Sequence, residues 1–173
     1  LRKSKNLNYD EIEYFKRRWF LWQCSRIDEY LFYKEKNVKK NPAPKDKSWD
    51  IIFNNFLKFD IKGTVIPKIL RKEFSLDSIF EKRCIDYYYC NQSKGVRYYN
   101  QNRLFIVHHS LKNEKRNIFL RCHWDLKIDA FYEFNKLITG SKVKLIYNQK
   151  ENTFSKCIFI IESQKDGFYF KII

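Results

Sequence analysis

The sequence predicts an α/β domain, one mixed sheet flanked by helices, with α+β as the alternative. Three observations predict it. Apolar residues at helical spacing open the chain. Strand-like and helical runs alternate through its middle. Three short β-rich stretches close it. Its 173 residues suffice for one domain with a sizeable core. Hydrophobic residues make up 44% and aromatics 18%, which excludes a disordered tail.

Residues 9–37 place Ile12, Phe15, Trp19, Leu21, Trp22, Ile27 and Leu31 at helical spacing, as one long helix or two separated near Gln23 to Ser25. Residues 38–47, broken by Pro42 and Pro44, read as a polar connector. "WDIIF" and "LKFDIKGTVIP" read as paired strands joined through Asn54 and Asn55. Residues 75–92 open with a serine cap and read as a helix. "NRLFIVHH" is a buried strand by its apolar run, and "RNIFLRCHW" reads as another. "DLKIDAFYEFNKLITG" is a helix stopped by Gly140. "KVKLIYN", "SKCIFIIES" and "GFYFKII" form a C-terminal meander. The expected organisation is a single domain over 1–173, its core at about 25–140 and strands 141–173 added to it.

The formal net charge is +15 and the isoelectric point about 9.6. That excess suits a polyanionic partner, because lysine and arginine displace condensed counterions. The alternative is a lysine- and asparagine-rich composition with no partner behind it. No apolar run approaches the roughly 20 residues that span a bilayer, so no membrane partner is expected. "LRKSKNLNYD" lacks the apolar core of a signal peptide. The cysteines Cys24, Cys84, Cys90, Cys122 and Cys157 form no C-x-x-C pair and read as reduced thiols of a cytoplasmic protein.

Asp50, nine residues, then Asp60-Ile61-Lys62 read as D-x9-D-x-K. Metal-assisted phosphodiester hydrolysis wants this pattern. Two carboxylates on neighbouring strands can share Mg²⁺, which prefers hard oxygen ligands and tolerates replacement by Mn²⁺. The metal lowers the pKa of a bound water and offsets charge on the phosphate. Asp60 and Lys62 have the same parity on a strand, so both face one side. The carbonyl of Ile61 offers a further oxygen. The bland alternative is a surface Asp60–Lys62 ion pair worth at most about 1 kcal/mol.

This arrangement resembles the PD-(D/E)XK nuclease superfamily, the restriction-endonuclease-like fold. Asp50 matches the first acid, Asp60 the second and Lys62 the lysine. Ser48-Trp49 stands where the motif's name has proline. The resemblance covers roughly residues 25–110 and implies a Mg²⁺-dependent nuclease with DNA its expected substrate; a homodimer is an open alternative to a monomer. It also implies a metal-holding glutamate upstream on a helix, which Glu29 supplies; Glu11 and Glu13 lie further up the chain. Gln92 to Tyr98 does not fit the Q-x-x-x-Y helix signature of the exonuclease-like branch, so that branch is not assigned.

Around this centre, Gln92, Arg97 and Arg103 are candidate phosphate contacts, with solvated arginine the alternative. Tyr98-Tyr99 and Tyr87 to Tyr89 are candidate base-stacking residues. Three consecutive helical tyrosines cannot share one face, so at least one is expected in the core. His108-His109 ends a strand and reads as structural before catalytic. Cys84, Cys90, Cys122 and His123 match no compact zinc pattern. A Walker loop, a dinucleotide fingerprint and a nucleophile elbow are all lacking. The second reading is a nucleic-acid-binding module, or inactive nuclease relative, that binds without hydrolysis.

Overall fold

The computed structural model describes residues 9–43, 46, 48–91, 101–149 and 152–173. Its order is α1 (Tyr9–Tyr33), β1 (Val38–Lys40), β2 (Ile51–Phe53), β3 (Leu57–Val65), a 3-10 helix (Lys68–Glu73) and α2 (Ser78–Asn91). Then come β4 (Arg103–Ser110), a 3-10 turn (Glu114–Arg116), α3 (Asn117–Leu120), α4 (Trp124–Thr139), β5 (Ile146–Asn148), β6 (Thr153–Ser163) and β7 (Gly167–Ile172).

These strands make the mixed sheet that the sequence predicts, in order β1-β2-β3-β4-β6-β5. β1, β2 and β3 pair antiparallel, whereas β3–β4 and β4–β6 are parallel. β5 and β7 both pair antiparallel with β6, at its residues 153–155 and 158–163. Helices cover both faces. On one, Phe32 of α1 and Phe131 and Phe134 of α4 meet Ile51, Phe59, Ile61, Ile106 and Ile160. The Phe32 and Phe131 rings stack at 4.1 Å, a geometry worth about 1 kcal/mol beyond their burial. On the other face Phe80, Cys84 and Tyr88 of α2 meet Phe105, Val107 and Phe159. No described helix is long and apolar enough to cross a membrane.

The hairpin turns where expected. Asn54 and Asn55 have φ of 50° and 65°, and Phe56 donates its N–H to Phe53 O at 3.1 Å. Asparagine adopts this left-handed conformation more readily than most residues, so the pair directs β3 back along β2.

Four elements depart from expectation. The polar connector contains β1, because Val38 is buried against the core and its backbone pairs with Phe53. Residues 116–124 are helical turns, not a strand. Asn113 accepts from Lys115 N at 2.9 Å to start the 3-10 turn, and Asn117 accepts from Ser110 N at 2.7 Å, which ties these turns to the end of β4. The cap of α2 is Asp77, whose Oδ1 accepts from Phe80 N at 2.8 Å; Ser75 donates its hydroxyl to Asp77 instead. The C-terminal meander forms, but its middle strand is interior. β6 lies beside β4 over residues 155–162, so the packed core continues well past residue 140.

Candidate active site

Asp50 and Asp60 meet at the open end of the β2–β3 hairpin. Ile51 pairs with Phe59, so the same register carried one residue further sets Asp50 opposite Asp60. Asp50 N–H donates to Phe59 O at 2.8 Å, and its Oδ2 accepts from Ile61 N at 2.7 Å. The carboxylate therefore leans over the backbone of the strand that carries its partner acid.

Asp60 is 3% exposed and its charge is matched locally. Lys62 Nζ forms an ion pair with Oδ1, and Arg103 Nε lies 3.7 Å from Oδ2. Lys62 also donates to Ile61 O at 3.2 Å. A buried carboxylate needs such partners, because the interior cannot replace its hydration. Asp50 is less well served. Burial pushes its carboxyl up to about 7. Lys62 opposes that rise, Asp60 adds to it, the Ile61 N–H opposes it, and Glu29 adds a smaller push. Lys62, the cation that opposes this rise, is itself ion-paired with Asp60, so the two acids share one lysine and their neighbours are oxygen donors.

Glu29 is half-buried on α1 and accepts from the Tyr33 hydroxyl at 3.1 Å. Burial, then the charges of Glu29 and Asp50, push that hydroxyl well above the usual tyrosine range. The register groups Asp60 and Lys62 with Phe105 and Val107 on the α2 face, whereas α1 covers the opposite face. Among the described residues, no three His, Cys, Asp or Glu side chains are gathered closely enough to hold a metal ion. Glu29 therefore neighbours the acid pair without completing a three-carboxylate set.

The other candidates divide. Arg103, a candidate phosphate contact by sequence, is 3% exposed; it lies against Asp60 and over the Tyr89 ring at 4.7 Å. Its place in the sheet opposite Asp60 directs it inward, so it serves Asp60 in place of a surface phosphate. Gln92, Arg97 and Tyr98 lie outside the described residues. Tyr88 is the tyrosine that packs in the core, donating to Val65 O at 3.0 Å. His108 is buried and donates Nδ1–H to Thr64 O at 3.0 Å; burial holds it neutral. His109 lies against Phe74 at 4.8 Å, and burial with nearby Arg71 pushes it down to about 4. Both histidines are at the far end of β3 from Asp60.

Sequence reasoning passed over two buried ion pairs. Lys127 Nζ lies 2.7 Å from Asp28 Oδ1 and donates to Arg121 O at 2.8 Å. Arg121 in turn donates to Gly63 O at 3.1 Å. A Cβ on Gly63 would stand 2.5 Å from Arg121 Nη1, so the glycine after Lys62 makes room for that guanidinium. Lys156 and Glu81 pair at 2.8 Å, with Glu81 Oε1 accepting from Cys157 N at 2.8 Å. The available signal was an acid or lysine inside an apolar run: Asp28 beside Ile27, and Lys156 before "CIFII". Arg17, Lys68, Arg71, Lys115 and Arg121 line a recess of about 590 Å³, with Glu114 the one acid among the described residues that line it.

Comparison with protein-family models, curated proteins and solved structures returned no match.

Proposed function

We propose that the chain is a metal-dependent nuclease of the PD-(D/E)XK type, acting on DNA through Asp50, Asp60 and Lys62. One observation carries the reading. Two acids face each other across a hairpin and share one lysine, which is ion-paired with Asp60 while burial holds the Asp50 carboxyl up at about 7. The helix, hairpin, helix and parallel strand order supports the restriction-endonuclease-like assignment.

Asp50, Asp60 and the Ile61 carbonyl would hold Mg²⁺, with Glu29 assisting from α1. Bound there, the ion would supply a water of lowered pKa and a counter-charge for the phosphate. Asp50 must lose its proton to bind, so the ion and the proton compete for one carboxylate. With a cation held at Asp60, Lys62 would no longer be needed to neutralise that carboxylate. Its ammonium is then free to stabilise negative charge on the phosphate as it develops. The +15 charge holds the polyanion near the site. Two copies would be needed to cut both strands of a duplex, and the free thiols fit a cytoplasmic setting.

A binding module without hydrolysis is the second reading. Lys62 and Arg103 already neutralise Asp60, and no three-carboxylate group gathers among the described residues. The deciding experiment is a cleavage time course beside a gel-shift titration, with Mg²⁺ and Mn²⁺. Lys62→Ala should bind nucleic acid nearly as well as wild type and cut about 10²–10³ more slowly, as for loss of one electrostatic stabiliser. Asp50→Ala should lose cutting and specific metal binding together. If Lys62→Ala cuts at the wild-type rate, the motif reading is wrong. A wild type that shifts DNA but never cuts makes the binding module the better account.

A further inference from the structure

We propose that the outward face of α1 is a track for single-stranded nucleic acid, bases stacking on its rings and phosphates meeting the cations beside them. This rests on the reading that the chain acts on nucleic acid, and it names the strand form that reaches the acid pair.

The 25 residues of α1 span roughly 37 Å at 1.5 Å per residue. Its buried residues, Cys24, Asp28, Leu31 and Phe32, all lie in the second half. Phe15, Trp19, Trp22, Arg26, Tyr30 and Tyr33 recur at intervals of three and four, which keeps them on one face of a helix. Cys24, Asp28 and Leu31 occupy the opposite, packed face. The outward rings remain in water: Phe15 is 52% exposed, Trp19 62%, Trp22 52% and Tyr30 57%. Large rings aligned this way mark an interaction surface more often than an accident of composition.

Charge decides between occupants. Arg26 lies 5.0 Å above the Trp22 ring, Lys34 5.2 Å above Tyr30 and Lys40 5.6 Å above Tyr33. A partner helix would have to bury those cations against apolar side chains, at the desolvation cost of each. A nucleic-acid strand meets both needs, because every base offers a π-face and every nucleotide a phosphate. A duplex cannot, since its base faces are already stacked on one another.

The track also has a destination. Tyr33, at its end, is half-buried against the core and donates its hydroxyl to Glu29 at 3.1 Å. Beside Asp50, Trp49 carries Lys58 at 4.9 Å from its ring centroid, repeating the ring-and-cation pattern at the site itself. A strand lying along α1 therefore runs toward the β2–β3 hairpin that carries the two acids, reaching it from the face opposite Asp60.

The test is made in EDTA, so that binding is read without cleavage. A labelled oligothymidylate and a duplex of equal length are titrated against wild type and against Trp19→Ala/Trp22→Ala, following anisotropy and intrinsic tryptophan fluorescence. Circular dichroism checks that the variant is folded. Wild type should bind the single strand about tenfold or more tighter than the duplex, with quenched fluorescence. The double variant should lose roughly tenfold or more of single-strand affinity and keep its duplex affinity. Equal affinity for both forms overturns the track. So does unchanged single-strand affinity in the variant, or a sedimenting dimer whose shielded tryptophans ignore the oligomer. A protein that cuts duplex with Mg²⁺ yet shows no single-strand preference loses the track and keeps the nuclease reading. One that binds the single strand as described and never cuts keeps the track and loses the nuclease.

Discussion

Asp50 costs the fold something that its neighbours do not. The folded protein holds this carboxyl near 7, against an ordinary value of 3.8, so folding takes up a proton between those values. The stability contributed by the neutral acid is full below about pH 4 and is lost as pH rises through 7. Asp50→Asn removes that loss. Its melting temperature should exceed that of wild type at pH 8, and the gap should close towards pH 4. Calorimetry should also show the variant blind to Mg²⁺, whereas wild type releases up to one proton per ion bound at pH 6 and little at pH 8.5. A variant that melts below wild type at pH 8 would show that the carboxylate is adequately partnered as it stands.

Adjacent acids on α1 do different work, because helical geometry turns one inward and the next aside. Asp28 is 1% exposed on the packed face and holds Lys127. Glu29 is half-buried beside Tyr33. Asp28→Ala should destabilise by about 3–5 kcal/mol in urea unfolding, since it strands a buried ammonium. Glu29→Gln should cost under about 1 kcal/mol and weaken Mg²⁺ affinity. Unchanged metal affinity in Glu29→Gln would remove this residue from the site. Gly63→Ala, on β3, strikes the same buried network, since its Cβ would displace Arg121 from the Gly63 carbonyl. The expected loss is about 1–3 kcal/mol.

Across the whole molecule, the C-terminal strands complete the sheet. β6 is flanked by β4 on one side and by β5 and β7 on the other, and Ile158 and Ile160 join one core while Phe159 and Ile161 join the other. A chain cut after Gly140 should therefore fail to fold, with no cooperative thermal transition in circular dichroism. A cooperative transition would show that residues up to 140 form an independent core. Global charge has its own test. Log affinity for duplex DNA should fall with log salt by about 0.9 per phosphate neutralised. A flat response would make the +15 compositional.

While the structure showed one unbroken helix over Tyr9–Tyr33, the sequence by itself determined the α/β class, the helical character of residues 9–37, the Asn54–Asn55 hairpin and the facing of Asp50 and Asp60. These follow from local periodicity, from turn chemistry and from a register that a short loop enforces. The acid pair was legible for the same reason: its two members lie ten positions apart in one hairpin. Tertiary structure alone decided the rest. β1 and the helical turns at 114–120 were misread because two or three residues carry too little periodicity, and partners distant in the chain select their conformation. Arg103 looked like a surface cation until β4 was set beside β3, where its register opposite Asp60 turned it inward. Asp28–Lys127 and Glu81–Lys156 join residues 99 and 75 positions apart. No local pattern announces such a pair, because a buried charge is tolerable only once the fold has delivered its partner.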